Sequence, residues 1–216
     1  QAAVTEFSSL SYDGGYAISP WQAWLIQRDQ AEDPVVACLF ALVAQEQYGR
    51  LWFSALYSSD QTVDVAQPEV QVMARVTSAL DVRNREWLRE TVTTRGWFRI
   101  SEYGEYADAA AWLIVQHADL DVEFQREMRA LLDPIAAEGD MRASSYAMLT
   151  DRVAVNSGEP QRYGSQGRCV GRGQWDAFPY TGTFEEMDAR RESVGLEHHA
   201  AYVSRMSERC SADRQY

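Results

Sequence analysis

Apolar residues recur every three to four positions along most of this chain, which is the spacing of an amphipathic helix. The clearest start is Asp33, a residue type favoured at helix N-caps, followed by Pro34, which suits the first helical position. Pro68 opens another periodic segment in the same way. The pattern predicts helices over about residues 21–28, 33–56, 68–80, 83–94, 105–116, 121–132, 141–152, 183–194 and 196–209.

One long segment, residues 153–181, departs from this pattern because it is rich in glycine and has few periodic apolar positions. Its glycines are Gly158, Gly164, Gly167, Gly171 and Gly173. Such a segment is irregular or contains a short hairpin. Helix resumes at Thr183, which forms a capping box with Glu186 three residues on, and Gly195 ends that helix.

These elements predict a mostly α fold, with a single helical domain of six or more helices and one long glycine-rich irregular loop. Residues 1–32 are assigned to an N-terminal arm and a first helix, 33–209 to the helical domain and 210–216 to a C-terminal tail. Residues 1–20, rich in Ser, Tyr and Gly, are expected to lie on the surface as the arm.

The negative net charge of the chain makes some classes of binding partner less favourable. The formal net charge of -12 disfavours nucleic acid and anionic membrane surfaces as partners. Every fixed side-chain cation is an arginine, since the chain has no lysine, and this excludes a Schiff-base lysine or a P-loop lysine. No apolar run approaches the ~20 residues that span a bilayer, so no transmembrane segment is predicted.

The three cysteines allow one disulfide. Cys38 lies at helical spacing from Val35 and Leu42, which indicates a buried core thiol, while Cys169 and Cys210 lie in the loop and near the end. Two alternatives remain open: a Cys169–Cys210 bridge in an oxidising compartment, or three unpaired thiols. The start at Gln1, not Met, indicates a removed leader or a trimmed end, and favours a secreted or periplasmic protein.

Several short motifs occur in a fixed order. The run Gln116-His117-Ala118-Asp119 precedes Asp151-Arg152, and the next motif is 161–166, Gln-Arg-Tyr-Gly-Ser-Gln. The pair Arg190-Arg191 and then 194–196, Val-Gly-Leu, follow near the end. Together with Glu46-Gln47 and Arg50, Gly96-Trp97 and Phe124-Gln125, this order resembles the bacterial family called domain of unknown function 6624.

The resemblance extends over about Asp33 to Met206. Where members of that family commonly carry Asp-Gln and Gly-Trp-Pro, this chain has Glu46-Gln47 and Gly96-Trp97-Phe98. The element Tyr-Gly-Thr-Gln has Ser165 in place of its threonine, which keeps the hydroxyl. The resemblance implies no activity, so any chemistry must be argued from the residues.

His117 is the leading candidate for chemistry because it falls where an apolar helix ends, within reach of loop groups. It could act as a general base or acid, with Asp119 or Asp151 holding its tautomer. The alternative is a core histidine with both nitrogens satisfied, since Ala110, Leu113 and Ile114 share its helix face.

Further polar groups complete the candidate site. Arg152 could stabilise developing negative charge, or form a structural ion pair. The candidate substrate-binding groups are Gln116, Gln161, Tyr163 and Gln166, whose other role is to satisfy buried backbone groups of the irregular loop. No metal-ligand motif is present, and neither a metal nor any other cofactor is predicted.

The sequence therefore predicts a secreted or periplasmic, metal-independent hydrolase of an amide or glycosidic bond, acting on a small molecule or peptide. The alternative is a non-catalytic binding or interaction module in which the His117 cluster is structural. Exposure discriminates the two, because a catalytic His117 must reach a cleft.

Overall fold

A computed structural model describes residues 19–58 and 66–210. In these ranges the chain is mostly α-helical, with one small antiparallel sheet, as predicted. The elements in chain order are α1 Pro20–Gln30, α2 Pro34–Ser58, α3 Pro68–Arg95, α4 Ile100–Gln116, α5 Val122–Glu138, α6 Ala143–Asn156, β1 Gly167–Gly171, β2 Gln174–Ala177, α7 Phe184–Ser193 and α8 His199–Ser207.

The predicted helix caps are confirmed. Asp33 accepts a hydrogen bond from the Val35 N–H at 2.7 Å, immediately before the proline that opens α2. Asp121 caps α5 through the Phe124 N–H at 3.0 Å. Thr183 and Glu186 form the capping box of α7, each side chain accepting from the other's backbone N–H. Each cap satisfies donors that the first helical turn leaves unpaired.

Several predicted boundaries fail: α5 continues to Glu138 and α6 to Asn156, beyond the predicted ends at 132 and 152. Residues 68–80 and 83–94 form one continuous helix, α3, because nothing between them breaks the backbone; its end at Gly96 is confirmed, with φ 81°. The helix predicted over 105–116 begins at Ile100 and contains Gly104 in a non-helical conformation, with φ 78° and ψ 168°. The apolar pattern in the sequence therefore indicated only the regular helix that follows Gly104.

The core is formed by helices α1 to α6. Helix α4 is central to it and contributes a run of small and branched side chains that are nearly or fully buried: Ala107, Ala109, Ala110, Ala111, Ile114 and Val115. Alanines let neighbouring helices approach closely, and the larger side chains of those helices fill the space. The first helix belongs to this core through Ala23 and Trp24.

The C-terminal part packs around the β-hairpin and α8. Trp175 of β2 meets the Tyr202 ring edge-on, with centroids 5.4 Å apart. A disulfide joins Cys169 of β1 to Cys210 after α8, so of the two alternatives left open by the sequence the structure has the bridge. Cys38 is free, as expected, but the expectation of a buried thiol was wrong: it is exposed because the buried stripe of α2 passes through neighbouring positions.

Two assigned segments lie largely or wholly outside the described residues: the arm, of which 1–18 are not described, and the tail from 211 onwards. Within 19–58 and 66–210, no helix is long and apolar enough to cross a membrane.

Candidate functional site

His117 ends helix α4 as its C-cap residue, with φ -96° and ψ 3°, so the backbone turns away from the helix at this point. Its Nδ1 is hydrogen-bonded to Oε1 of Glu46 in the middle of α2. The two side chains differ in exposure: Glu46 is 1% exposed and His117 is 20% exposed. Nε2 of His117 makes no hydrogen bond to any of the residues that the structure describes. The buried carboxylate of Glu46 therefore orients the imidazole of His117 through its Nδ1 atom.

Glu46 belongs to a short chain of charges between α2 and α3. Arg50, one turn along α2, donates from Nε to Glu46 at 2.7 Å and from a terminal nitrogen to Asp81 at 3.0 Å. Burial alone would raise the pKa of Glu46, but His117 and Arg50 together hold it below its ordinary value. Burial raises the pKa of the Asp81 carboxyl, and Arg50 offsets this only in part. Glu46 is therefore an anion next to the imidazole.

The two acids expected to orient His117 have other partners. Asp119 is half-exposed, and both of its oxygens accept from Arg152 at 3.1 Å. Asp151 is fully buried and accepts from loop amides instead. The expectation that Asp119 or Asp151 orients the histidine was wrong: the acid that does so comes from α2, far away in sequence. Helix packing, not local order, brings it there.

Arg152 links the end of α4 to α6. With the amide of Gln116 oriented so that its oxygen faces the guanidinium, that oxygen accepts from Nε and a terminal nitrogen of Arg152 at 3.0 and 3.1 Å. The same guanidinium pairs with Asp119, which also accepts from Asn156 at 3.4 Å. Arg152 is thus held rigidly beside the residue that precedes His117. Gln116 is only 5% exposed, and its oxygen is already engaged.

Asp151 anchors the glycine-rich loop by its carboxylate. It accepts from the backbone N–H groups of Arg162 at 2.7 Å, Tyr163 at 2.9 Å and Ser165 at 2.9 Å. One buried acid therefore provides hydrogen-bond acceptors for three loop N–H groups that have no helix or sheet partner, and buried backbone N–H groups need such acceptors. The motifs at 116–119, 151–152 and 161–166 are therefore joined by direct contacts.

Two of the candidate substrate-binding glutamines are structural instead. Gln161 is fully buried; its amide nitrogen donates to the carbonyls of Gln166 and Phe178, and its oxygen accepts from the Gln166 N–H. The Gln166 side chain is also buried and donates to Ser165 at 2.9 Å. Neither amide can reach a ligand in this conformation. Tyr163, which is half-buried, is the member of this loop set that can.

The pair Arg190-Arg191 was interpreted from sequence as structural, and the contacts agree. Arg191 is fully buried, donates to the carbonyls of Glu197 and Tyr163 at 2.7 and 2.6 Å, and lies over the Tyr202 ring. Arg190 donates to the carbonyls of Arg162 and Thr181. Both arginines tie the loop to helix α7.

Sequence reasoning missed Glu46 and Arg50 as site residues. Their signal was present in the four-residue spacing of Glu46 and Arg50 and in the motif Glu46-Gln47, but nothing in the sequence linked that helix to His117. Across 19–58 and 66–210, no group of three or more His, Cys, Asp or Glu side chains is placed to hold a metal ion. The site can therefore be described as a histidine–carboxylate pair whose carboxylate also accepts from Arg50.

Comparison with known proteins gives one match. A family model described as "Family of unknown function (DUF6624)" matches residues 58–212. His117, Arg152 and the glycine-rich loop lie inside this range, and Glu46 and Arg50 lie before it. No curated protein and no solved structure matches the chain.

Proposed function

The chain belongs to the DUF6624 family, and we propose that it is a metal-independent hydrolase in which His117, oriented by Glu46, removes a proton from water. We further propose that the bond it cleaves is an amide and that it works in an oxidising compartment outside the cytoplasm.

The observation that carries the proposal is the orientation of the imidazole. A general base needs a fixed tautomer, one nitrogen free toward the reacting group and a carboxylate behind the other nitrogen. His117 fits this description: Nδ1 is bonded to the buried, anionic Glu46, and Nε2 is not hydrogen-bonded to any described residue. A core histidine would instead have both nitrogens satisfied.

The arrangement favours an amide over a glycosidic bond. Glycoside hydrolysis generally uses two carboxyl groups that both face the sugar, one as acid and one as base or nucleophile. Glu46 cannot be one of these, because it is 1% exposed and lies behind the imidazole. A single histidine that first accepts and then returns a proton is sufficient for amide hydrolysis.

The reaction follows from these positions. Nε2 of His117 takes a proton from water as the water oxygen bonds to the amide carbon, whose carbonyl oxygen takes up the negative charge. The imidazolium, stabilised by Glu46, then returns the proton to the leaving nitrogen, and the carbon–nitrogen bond breaks. The products are a carboxylic acid and an amine.

Arg152 is the group proposed to favour the negative charge that develops on the carbonyl oxygen. It is 28% exposed and is fixed by Gln116 and Asp119, so it needs little reorganisation when the charge appears. Tyr163, on the loop that Asp151 anchors, is proposed to contact the substrate. Gln116 and Asp119 then act as positioning residues, since they hold Arg152 and not the substrate.

The compartment is inferred from the disulfide. Cys169 and Cys210 are bridged, and disulfides persist mainly in secreted, periplasmic and other oxidising environments. This supports a secreted or periplasmic location.

A panel of peptide p-nitroanilides, p-nitrophenyl esters and p-nitrophenyl glycosides tests the proposed activity. We expect cleavage of anilides or esters, and a loss of kcat/KM of roughly 100-fold or more in His117→Ala. His198→Ala is the matched control, because His198 is exposed and lies on the other side of the glycine-rich loop in sequence. Glycosides as the only substrates, or full activity in His117→Ala, would contradict the proposal.

The alternative, a non-catalytic binding or interaction module, is supported by the buried motif residues. Asp151, Gln161 and Arg191 are fully buried and satisfy loop backbone groups, which is a structural role. If His117 were structural too, His117→Ala would lower the free energy of unfolding by roughly 1–3 kcal/mol. Because His117→Ala also leaves the buried Glu46 carboxylate with Arg50 as its partner, some loss of stability is expected in either case, and a catalytic His117 is distinguished by loss of activity under conditions in which the variant is still folded.

A further inference from the structure

Helix α3 has an apolar stripe that faces solvent. Val72 and Val76, four residues apart, are 47% and 46% exposed, and Ala79, three residues further on, is exposed as well. Residues spaced by three and four positions share one face of a helix, so these three form a continuous stripe. The buried residues of this part of α3 lie on another face and recur every seven positions: Val70, Thr77 and Asn84.

A charged residue lies at each end of this stripe. Glu69 lies three positions before it and Arg83 four positions after it, so both continue the same face. Glu69 is exposed and forms no ion pair with any residue in 19–58 or 66–210. Arg83 is also exposed, and its guanidinium donates to the uncharged amide oxygens of Gln45 at 2.9 Å and Asn84 at 3.1 Å. Within the described ranges, neither end of the stripe has an opposite charge beside it.

The spacing of these residues is that of a helix–helix seam. Positions 69, 72, 76, 79 and 83 alternate in steps of three and four, as the contact positions of a two-helix coiled coil do. Val76 lies at the centre, seven residues from both Glu69 and Arg83. A second copy of the helix, antiparallel and related by a two-fold axis at Val76, would bring Glu69 of each copy opposite Arg83 of the other. The stripe is therefore complementary in charge to itself, as a two-fold interface requires.

The local charge favours contact between copies at this face. Residues 69–83 contain two acids, Glu69 and Asp81, and two arginines, Arg75 and Arg83, so the segment has no net charge, although the chain has -12. The charge of the whole chain opposes contact between copies, and this repulsion is weakened where the contacting segments are neutral. A parallel pair would bring like charges together at both ends of the stripe, which disfavours that orientation.

We propose that two copies of this chain associate through this face of α3, antiparallel and with Val76 at the two-fold axis. Val72 of each copy packs near Ala79 of the other, and two Glu69–Arg83 ion pairs form at the ends. From Glu69 to Arg83 the stripe is only ~21 Å long at the rise of an α-helix, so the interface is small and the dimer is weak and reversible. It uses neither His117 nor Arg152 and therefore does not depend on the hydrolase activity proposed above.

Sedimentation of the whole protein at increasing concentrations tests the proposal. One copy has a mass of 24.5 kDa, and we expect the average mass to rise reversibly towards twice that value. Val76→Glu places two carboxylates against each other at the axis and should keep the protein at the mass of one copy. Val170→Glu is the matched control, because Val170 of β1 is 50% exposed and lies outside α3, and this variant should associate as the wild type does. Circular dichroism checks that both variants are folded.

Exchange of the end charges tests the antiparallel arrangement. Glu69→Arg alone and Arg83→Glu alone each replace both ion pairs by like charges, so each should weaken dimerisation by at least about tenfold. In an equimolar mixture of these two variants, each arginine again lies opposite a glutamate. Dimers should therefore form in the mixture with about the affinity of the wild type.

Three results would overturn the proposal. A wild-type protein that keeps the mass of one copy at every concentration would exclude a second copy as the occupant of this face and leave a different protein as its partner. Dimers that persist in Val76→Glu, or that are lost equally in Val170→Glu, would show that another surface joins the copies. Weakening in both charge variants without recovery in their mixture would contradict the antiparallel pairing of Glu69 with Arg83.

Discussion

Glu46 lies 71 residues before His117, yet its buried carboxylate is bonded to Nδ1 of that imidazole. It also accepts from Arg50, so one carboxylate joins two cationic or potentially cationic groups. Removing one member of this largely buried group deprives the remaining members of a partner. The free energy of unfolding then falls by more than it does when an exposed ion pair is lost.

Glu46→Gln is therefore expected to lower the free energy of unfolding by roughly 2–3 kcal/mol at neutral pH, less than for a fully buried pair because His117 and Arg50 are partly exposed. Glu90→Gln, at an exposed position of α3, should change it by less than about 0.5 kcal/mol. The folded-state pKa of Glu46 lies below 4.5, so its contribution is present above pH 4.5 and lost as the pH falls. Urea unfolding at several pH values measures both effects; equal losses in the two variants would contradict the role given to Glu46.

Asp151 and Asp119 provide a second comparison. Asp151 is fully buried and accepts three loop N–H groups, whereas Asp119 is half-exposed and pairs with Arg152. We expect Asp151→Asn to cost roughly 2–4 kcal/mol, because an amide oxygen cannot replace both carboxylate oxygens. Asp119→Asn should cost at most about 1 kcal/mol. Hydrogen exchange should show the amides of Arg162 and Tyr163 losing protection in Asp151→Asn alone.

How far the sequence predicts this molecule depends on the range of the interaction. Caps at Asp33, Asp121 and Thr183 act within three residues, and all three are confirmed. The joining of α3 into one helix was missed because a shift in the apolar pattern near Leu80 resembled a boundary, although the backbone contains no breaker there.

The site was predictable in part. A loop so rich in glycine needs partners from nearby helix ends, and Asp151, the nearest acid before it, provides them. The partner of His117 could not be found in this way, because local order favours Asp119 whereas helix packing brings Glu46 to the ring. The sequence also does not show which polar side chains are buried. Gln161 and Gln166 have amide groups that could bind a ligand, but both are enclosed by their own loop.

The disulfide is expected to stabilise the C-terminal part of the fold. Cys169 and Cys210 are 41 residues apart, and a loop of that length corresponds to about 4 kcal/mol in the chain-entropy model. We expect Cys169→Ser with Cys210→Ser to lower the free energy of unfolding by roughly 2–4 kcal/mol, and Cys38→Ser, at an exposed free thiol, to leave it unchanged. Peptide mapping without reductant tests the bridge; free thiols at both positions would refute it.

His199 should make stability depend on pH. Burial lowers the pKa of its imidazole from 6.5, Arg191 lowers it further, and Asp188 offsets this only in part. Below pH 6.5 the unfolded chain therefore binds a proton more readily than the folded chain, so the free energy of unfolding decreases as the pH falls, until it levels off below the lowered pKa.

Unfolding between about pH 8 and pH 5 measures this dependence. His199→Gln should remove the part of the slope just below pH 6.5, whereas His198→Gln, at an exposed histidine, should keep it. A wild-type slope in His199→Gln would show that other groups are responsible.

Gly164 lies where the glycine-rich loop contacts α7 and α8, and two separate constraints act on it. Its φ is 63°, a conformation that disfavours side chains by about 1–2 kcal/mol. A Cβ there would also lie 2.6 Å from Sδ of Met187 and 2.9 Å from Nε2 of His199. Both neighbours are buried, so neither can move freely, and overpacking of this kind adds about 1–3 kcal/mol.

Gly158→Ala separates the two constraints, because Gly158 has φ 77° and nothing within 4 Å of a Cβ. We expect Gly158→Ala to cost about 1 kcal/mol, from backbone conformation alone, and Gly164→Ala to cost roughly 3 kcal/mol or more. Denaturant unfolding compares the two variants directly. Equal costs would mean that Met187 and His199 yield to the added methyl group, and that the contact between the loop and these helices is looser than its geometry indicates.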